Sequence, residues 1–429
     1  MAKDMCKSRA SKSRNDWVVC QIGAREHYLL AAELHARKQL AALCTDAWAG
    51  PASTWRAVSS IRRGAGLRIG ERFSPALENA HVLCETPFST AVHSLRMFRS
   101  SARGLWPRTM ETNRWFASRM AARLQREGIL AGKSRPSPPI VFAYSYAALE
   151  ILETAKRAGC VTVLGQIDPG PVASERVAEV ARSHGFADTL SRPPDEYWDR
   201  WRREVELADV IVVNSPWSRE AVLRAGVDAR KISIAPLAYV GKKDFPTSRT
   251  FPKAFSENHP MEVLFLGQVN VHKGAVELLQ AMQRLKDAPI RLTLVGTVQD
   301  GLKDHFAYIP GVRWVGSVPR SEAASYYSNA HVFVLPTHSD GFALTQLEAQ
   351  AYGLPVFASK WCGEVVEDGV NGKLIDPVSP DAVEAVLRWG LDNTRALADM
   401  AKRAKLRISA FSPENAVSAI LRAIQCRVE

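Results

Sequence analysis

Long apolar runs are missing from this chain of 429 residues. None approaches the roughly 18 residues that a membrane-spanning helix needs, and nothing reads as a signal peptide. Seven cysteines are scattered at positions 6, 20, 44, 84, 160, 362 and 426 with no C-x-x-C pair. That pattern argues against a zinc cluster or a disulfide framework and fits a reducing cytoplasm. The turn after the first apolar segment, Gly23-Ala24-Arg25-Glu26, lacks the G-x-G-x-x-G spacing that brings backbone close to a pyrophosphate. No Walker-type lysine motif occurs either, so dinucleotide oxidoreductases and P-loop enzymes are disfavoured. Also missing is any Asp-x-Asp pair that could bridge a divalent metal to a diphosphate, and no metal or other cofactor is expected.

What is present is a hydrophobic content of 46% with 23% charged residues, the balance of a soluble globular protein. The length implies two domains of about 200 residues each. The net charge of +12 is placed unevenly: up to Val240 there are 35 basic and 24 acidic residues, and beyond it 21 and 20. The excess concentrates in Arg56 to Arg72 and in a stretch carrying Arg96, Arg99, Arg103, Arg108, Arg114, Arg119, Arg123 and Arg126 against Glu111 and Glu127. Leu95, Met97, Phe98, Leu105, Trp106, Trp115, Phe116 and Met120 interleave with those arginines. Such a region serves as a solvated helix face, as a nucleic-acid surface or as a peripheral contact with an anionic inner leaflet. No nucleic-acid motif accompanies it, so the membrane contact is the favoured expectation and nucleic acid is not an expected partner.

Strand and helix segments alternate along both halves, which implies parallel sheets with crossover helices. Strands are expected at Trp17–Ile22, Ile140–Tyr144, Val161–Ile167, Val210–Val213 and Ile232–Ala235, with a helix from the first turn to about Lys38. In the second half they are expected at Val263–Leu266, Leu292–Val295, Val312–Val315, Val332–Leu335 and Val356–Ala358. The expected organisation is a disordered basic tail over 1–16, a first domain over 17–240, a linker over 241–261 and a second domain over 262–411. Ser412 as cap and Pro413 as first residue start a terminal helix, 412–429, expected to pack back on the first domain.

The densest chemistry lies in Leu335 to Pro355, LPTHSDGFALTQLEAQAYGLP. A buried strand ends at Leu335, a loop follows to Gly341, and from Phe342 the period turns helical: Leu344, Leu347 and Ala351 share one face. Gly353 and Pro355 supply the stop. A helix N-terminus placed just after a parallel strand presents unpaired amides and a positive dipole end to an anion. Asp340 stands before that N-terminus, and Glu348 lies on the edge of the apolar face. As isolated residues, Asp340 serves as a helix cap and Glu348 as a surface acid.

Asp340-Gly341-Phe342-Ala343-Leu344, Leu347-Glu348-Ala349 and Gly353-Leu354-Pro355-Val356 together resemble the signature of the family 4 (group 1) glycosyltransferases. That family usually writes Glu-Gly-Phe-Gly-Leu, with a second Glu after seven intervening residues. Leu264-Phe265-Leu266-Gly267-Gln268 with His272-Lys273-Gly274 resembles the strand, turn and Lys-Gly that open the family's second domain. Gln268 stands where an Arg is common. Trp314-Val315-Gly316-Ser317-Val318 resembles the turn bordering the nucleobase, and Gly363 to Gly372 the last turn and strand.

The resemblance implies an α/β chain of the GT-B fold, two facing Rossmann-like domains with parallel sheets and an interdomain cleft. It implies a metal-independent, retaining hexosyltransferase moving a sugar from a nucleotide-diphosphate sugar to a saccharide or lipid-linked acceptor, in cell-surface polysaccharide or glycolipid synthesis. Glu348 would accept the ribose hydroxyls and Asp340 would bind hydroxyls of the donor sugar. Lys273 and the amides of Phe342, Ala343 and Leu344 would stabilise the departing diphosphate; Gly267, Gln268, Gly316, Ser317 and Gly341 complete the donor-side set. On the acceptor side the candidates are Arg25 and His27 after the first strand, and Gln166 and Asp168 at the end of Val161–Ile167, with Asp168 a candidate catalytic group. His331 and His338 are expected to be structural. Two alternatives stay open: a nucleotide-sugar epimerase of the same fold, and a non-catalytic relative that binds a partner.

Overall fold

The computed structural model describes residues 16–51, 53–56, 72–99, 104–131, 138–241 and 249–428. The basic tail up to residue 15, most of the Arg56 to Arg72 stretch, Arg103 and residues 242–248 of the expected linker lie outside the described residues. By contact density one compact unit runs to Gln166 and resumes for Pro193–Val212; the other takes Ile167–Arg192 and everything from Val213 onward.

The first sheet has seven strands: β1 Trp17–Gln21, β2 Leu40–Thr45, β3 Val82–Cys84, β4 Ile140–Tyr144, β5 Val161–Gly165, β6 Val210–Val213 and β7 Ile232–Ile234. Their order is β3-β2-β1-β4-β5-β6-β7. The second sheet has six: β8 Met261–Leu266, β9 Ile290–Val295, β10 Val312–Gly316, β11 Val332–Leu335, β12 Val356–Ser359 and β13 Gly372–Ile375. Its order is β10-β9-β8-β11-β12-β13. Both sheets are parallel, as the apolar runs require: β1, β6, β11 and β12 are buried along their whole length, which only a sheet covered on both faces permits. Each is the doubly wound arrangement of a Rossmann-like sheet.

In each sheet the strand order reverses once, between β1 and β4 in the first and between β8 and β11 in the second. At such a switch point the two flanking crossovers leave in opposite directions and open a crevice beyond the carboxyl ends of the strands. The turns that follow β8 and β11 are therefore the ones to search for chemistry in the second sheet.

Three departures from the sequence reading have local causes. Strands β2 and β3 were not expected: Leu40-Ala-Ala-Leu-Cys-Thr carries no alternation, and β3 is three residues long. The helix expected from the first turn to Lys38 is shorter, Leu29–Ala36, because Glu26, His27 and Tyr28 hold φ of 49°, 53° and 60°. Three successive left-handed residues turn the chain before the helix can start. Finally, Arg249, inside the segment read as a linker, donates to the carbonyls of Tyr327, Ser328, Ala330 and Tyr352. It caps the C-terminal ends of two helices, a use of arginine that composition alone does not reveal. A terminal helix runs over Pro413–Val428, with the Ser412 hydroxyl accepting from Asn415 N at 3.2 Å, and it packs against β7.

In the first unit, buried Glu204 accepts from the amides of Tyr146, Ala148 and Leu149 at 2.7, 2.9 and 3.2 Å. Burial pushes its carboxyl up from 4.5 to about 7, against the opposing pull of those amides. A folded-state value above the unfolded one means that the folded chain holds the proton more tightly. Its contribution is fully present below about pH 4.5 and is lost as pH rises through about 7. Thermal melts between pH 5 and 8 should show this unit losing up to about 3 kcal/mol, and Glu204→Gln should flatten that slope.

Candidate functional site

The turn after β8 is built to hold a lysine still. Asn270 accepts the Lys273 amide on its side-chain oxygen at 2.9 Å and closes a single helical turn, Val271–Lys273. Gly274 follows in the left-handed region, φ 72°, and an added Cβ there would overlap the Pro336 carbonyl oxygen. The turn after β8 thus rests directly on the turn after β11. Two hydrogen bonds lock them: His338 N and Thr337 Oγ1 donate to the His272 carbonyl at 2.9 and 3.2 Å. Burial and the adjacent Lys273 charge push the His272 imidazole down to about 4, so it is neutral.

On that platform Lys273 forms an ion pair with Asp340. The other carboxylate oxygen of Asp340 accepts from the amides of Phe342 and Ala343 at 3.3 and 3.2 Å. Burial would raise the Asp340 carboxyl, but the Lys273 ammonium outweighs it and holds the group below the usual carboxylate range. One ammonium and two amides therefore converge on a single anion at the switch point. This is an anion receptor, and in this structure the anion is Asp340 itself. A cavity of about 300 Å3 opens beside it, lined by Gly267, Lys273, Asp340, Phe342, Ala343 and Leu344 among others.

Ala343 explains a departure in the motif. It stands where the family usually has glycine, and it occupies the left-handed region at φ 63° ahead of the helix Leu344–Ala351. An alanine there costs about 1 kcal/mol. Ala343→Gly should therefore raise stability by about 1 kcal/mol and Tm by about 2–4 °C for a unit of this size. An unchanged melt would mean the strain is not there.

Gly341 rests against neighbouring backbone. A Cβ on it would come within 2.6 Å of the Ile167 carbonyl oxygen and 2.8 Å of Asn214 Nδ2. Asn214 in turn donates to the Ile167 carbonyl at 3.1 Å, and Ser218 Oγ links Asn214 to the Gly341 carbonyl. Asn214 and Ser218 are supports that the sequence reading missed; the polar turn after β6 was the signal available. The same contacts bring the backbone of Asp168 beside Gly341. The Asp168 carboxylate accepts from Gly170 N at 2.8 Å and shapes the turn into the helix Pro171–Ser183.

The remaining candidates make other contacts. Glu348 accepts from the Tyr327 hydroxyl at 2.8 Å and lies 3.7 Å from Arg320. Gln268 is exposed and accepts weakly from Asn270 at 3.4 Å. Gly316 ends β10, two strands away from β8, and Ser317 follows it, with Ser317 Oγ and Thr297 Oγ1 3.0 Å apart. In the first unit, Gln166 is only 3% exposed, its amide engaged by Trp201 Nε1 at 2.9 Å and by the Tyr146 hydroxyl at 3.2 Å. Arg25 and His27 are exposed on the left-handed turn after β1, and the Arg25 guanidinium lies 5.2 Å from the Tyr144 ring centre. His331 is structural, its Nδ1 accepting from Glu262 N at 3.0 Å. His338 is buried against Glu277.

Residues 247–407, the stretch that carries both turns, match the family model described as "Glycosyl transferases group 1". Over this stretch the chain is similar to the group 1 glycosyltransferases. The chain is 30% identical over 227 residues to a D-inositol 3-phosphate glycosyltransferase of Paenarthrobacter aurescens (strain TC1), covering 49% of this chain and 55% of that protein. It thus spans about half the length of the curated relatives it matches. Among solved structures, Anabaena Alr3699/HepE in complex with UDP-glucose superposes with a TM-score of 0.58 at 16% identity, over 96% of this chain and all of that one. Sucrose-phosphate synthase from Thermosynechococcus elongatus gives 0.60 at 17%, over 96% and 98%. At these identities the likeness establishes the fold, the GT-B fold of two Rossmann-like domains. The Lys273–Asp340 pair lies inside the matched stretch, on either side of the switch point of the second sheet.

Proposed function

We propose that this chain is a glycosyltransferase that takes a hexosyl group from a nucleotide-diphosphate sugar, with retention of configuration and without a metal at the diphosphate. The observation that carries the proposal is the convergence of Lys273 and the Phe342 and Ala343 amides at the switch point of the second sheet. Fixed donors aimed at a leaving group whose charge grows in the transition state are usually the largest catalytic term. Here the ammonium and the helix end supply them, and a bridging cation is not needed. The donor's diphosphate would share Lys273 with Asp340, which then holds a sugar hydroxyl. Glu348, already an acceptor for a hydroxyl from Tyr327, is suited to a ribose diol.

Relatives and structural neighbours are named for inositol 3-phosphate, sucrose and UDP-glucose, which supports a nucleotide-sugar donor and a hydroxylated acceptor. We assign the acceptor to a saccharide or lipid-linked glycan at an anionic membrane surface. The first unit supports this assignment: the helices Pro87–Arg99 and Leu105–Arg126 expose Phe88, Leu95 and Leu105 among their arginines. Cosedimentation with anionic vesicles, and not with neutral ones, is the expected result.

The deciding test incubates the protein with uridine, guanosine and adenosine diphosphate sugars and a panel of acceptors. Acceptor-dependent release of nucleoside diphosphate with a retained anomeric product is expected. A C2-inverted sugar would replace the proposal with epimerisation, and no turnover with any donor would leave a binding protein.

A further inference from the structure

Behind the Lys273–Asp340 pair, three side chains from distant parts of the chain meet. Glu277 lies in the first turn of the helix Ala275–Arg284, four residues past Lys273. His338 lies two residues before Asp340, and His184 just past the end of the helix Pro171–Ser183. The Nε2 atoms of His184 and His338 approach the same Glu277 oxygen, Oε1, at 2.8 and 2.6 Å. One ligand atom from each residue lies within 4.8 Å of the others. Glu277 is 2% exposed, and its second oxygen, Oε2, is buried without a hydrogen-bond partner.

As a purely hydrogen-bonded cluster this is poorly balanced. Two donors crowd one oxygen while the other, equally basic, has none, and a buried oxygen left unmatched costs about 1–3 kcal/mol. A cation removes the imbalance, since it accepts lone pairs from both imidazoles and from the carboxylate together.

We propose that His184, Glu277 and His338 form a binding site for a divalent transition-metal ion of the zinc type, which clamps the Asp340 loop from behind. Two imidazoles with one carboxylate are a donor set that suits zinc rather than magnesium or calcium, which prefer oxygen alone. Tetrahedral zinc with nitrogen and oxygen ligands at about 2.0–2.1 Å sets its ligand atoms about 3.3 Å apart. The two nitrogen–oxygen separations would widen by about 0.5 and 0.7 Å, and the two imidazole nitrogens, within 4.8 Å of each other, would settle at the same spacing. The ion would tie together the turns after β8 and β11 and the segment following the helix Pro171–Ser183. Arg176 Nε, bonded to the His338 carbonyl at 2.7 Å, and Trp217 Nε1, bonded to Ser339 Oγ at 2.9 Å, already hold that loop from the same side. This ion is separate from any at the diphosphate, and the inference does not depend on the sugar chemistry.

The test uses full-length protein stripped with a chelator and titrated with Zn2+ against a chromophoric zinc indicator. One equivalent bound per chain is expected, with a rise in Tm. His184→Ala and His338→Ala should each weaken binding about 100-fold or more, since replacing even an outer partner of a ligand typically costs about 10–100-fold. Because a variant can fail through misfolding, Co2+ binding to the wild type gives an independent reading. Visible bands of a four-coordinate nitrogen–oxygen site support the proposal. A thiolate charge-transfer band would place the ion on a cysteine and overturn it. So would the absence of a stoichiometric site, or zinc affinity unchanged in both histidine variants.

Discussion

Lys273→Ala is expected to raise the barrier to sugar transfer by about 2–4 kcal/mol, a loss of roughly 30- to 900-fold in kcat/KM. Lys273 is the single cation among the described residues lining the cavity, and the neighbouring position, where the family commonly has Arg, is the uncharged Gln268. Among the described residues lining the cavity, no second cation is at hand to take over from it. A further effect compounds the first. Asp340 is held ionised by Lys273 against the pull of burial, and without that ammonium its carboxyl rises. The variant should consequently gain a pH dependence that the wild type lacks, recovering part of its activity as pH rises and Asp340 ionises. Lys273→Arg, which keeps the charge on a bulkier head, should restore part of the rate. A fall in kcat equal to that in kcat/KM assigns the interaction to the transition state, whereas a change confined to KM assigns it to ground-state binding. Wild-type rates in Lys273→Ala would remove the proposed site.

Much of this architecture was readable in the chain because parallel strands covered on both faces are apolar throughout. Val210–Val213, Val332–Leu335 and Ile140–Tyr144 stand out for that reason and end where expected. The turns after β8 and β11 were readable through resemblance, since Lys273 and Asp340 are separated by 67 residues and no spacing rule joins them. Only the strand order, with its single reversal, explains why they meet. What stayed hidden depends on tertiary neighbours. Gln166 reads as a polar strand end facing a ligand, yet Trp201 and Tyr146 engage its amide inside the first unit. His184 and Glu277 are 93 residues apart, Glu277 and His338 are 61 apart, and the three carry no local pattern. The left-handed run at Glu26–Tyr28 contains no glycine to announce it.

Gly274→Ala is expected to be among the most damaging single-methyl additions in the molecule, at about 3–5 kcal/mol, the range reserved for substitutions with a named structural cause. Two costs combine. The left-handed backbone at φ 72° disfavours any Cβ by about 1–2 kcal/mol. The new methyl would also overlap the Pro336 carbonyl, a backbone atom that no rotamer change can move aside. Relief requires the turns after β8 and β11 to separate, which stretches the bonds from His338 N and Thr337 Oγ1 to the His272 carbonyl and draws Lys273 away from Asp340. Stability and transfer should therefore fall together. Gly369→Ala isolates the first cost: Gly369 has the same φ of 72°, but nothing lies within 4 Å of its added Cβ. That variant should lose only about 1–2 kcal/mol and keep its activity. Denaturant unfolding of the two side by side measures the close approach by difference. Equal losses would mean that the turns after β8 and β11 do not touch at Gly274, and that the Lys273–Asp340 pair is not held by this contact.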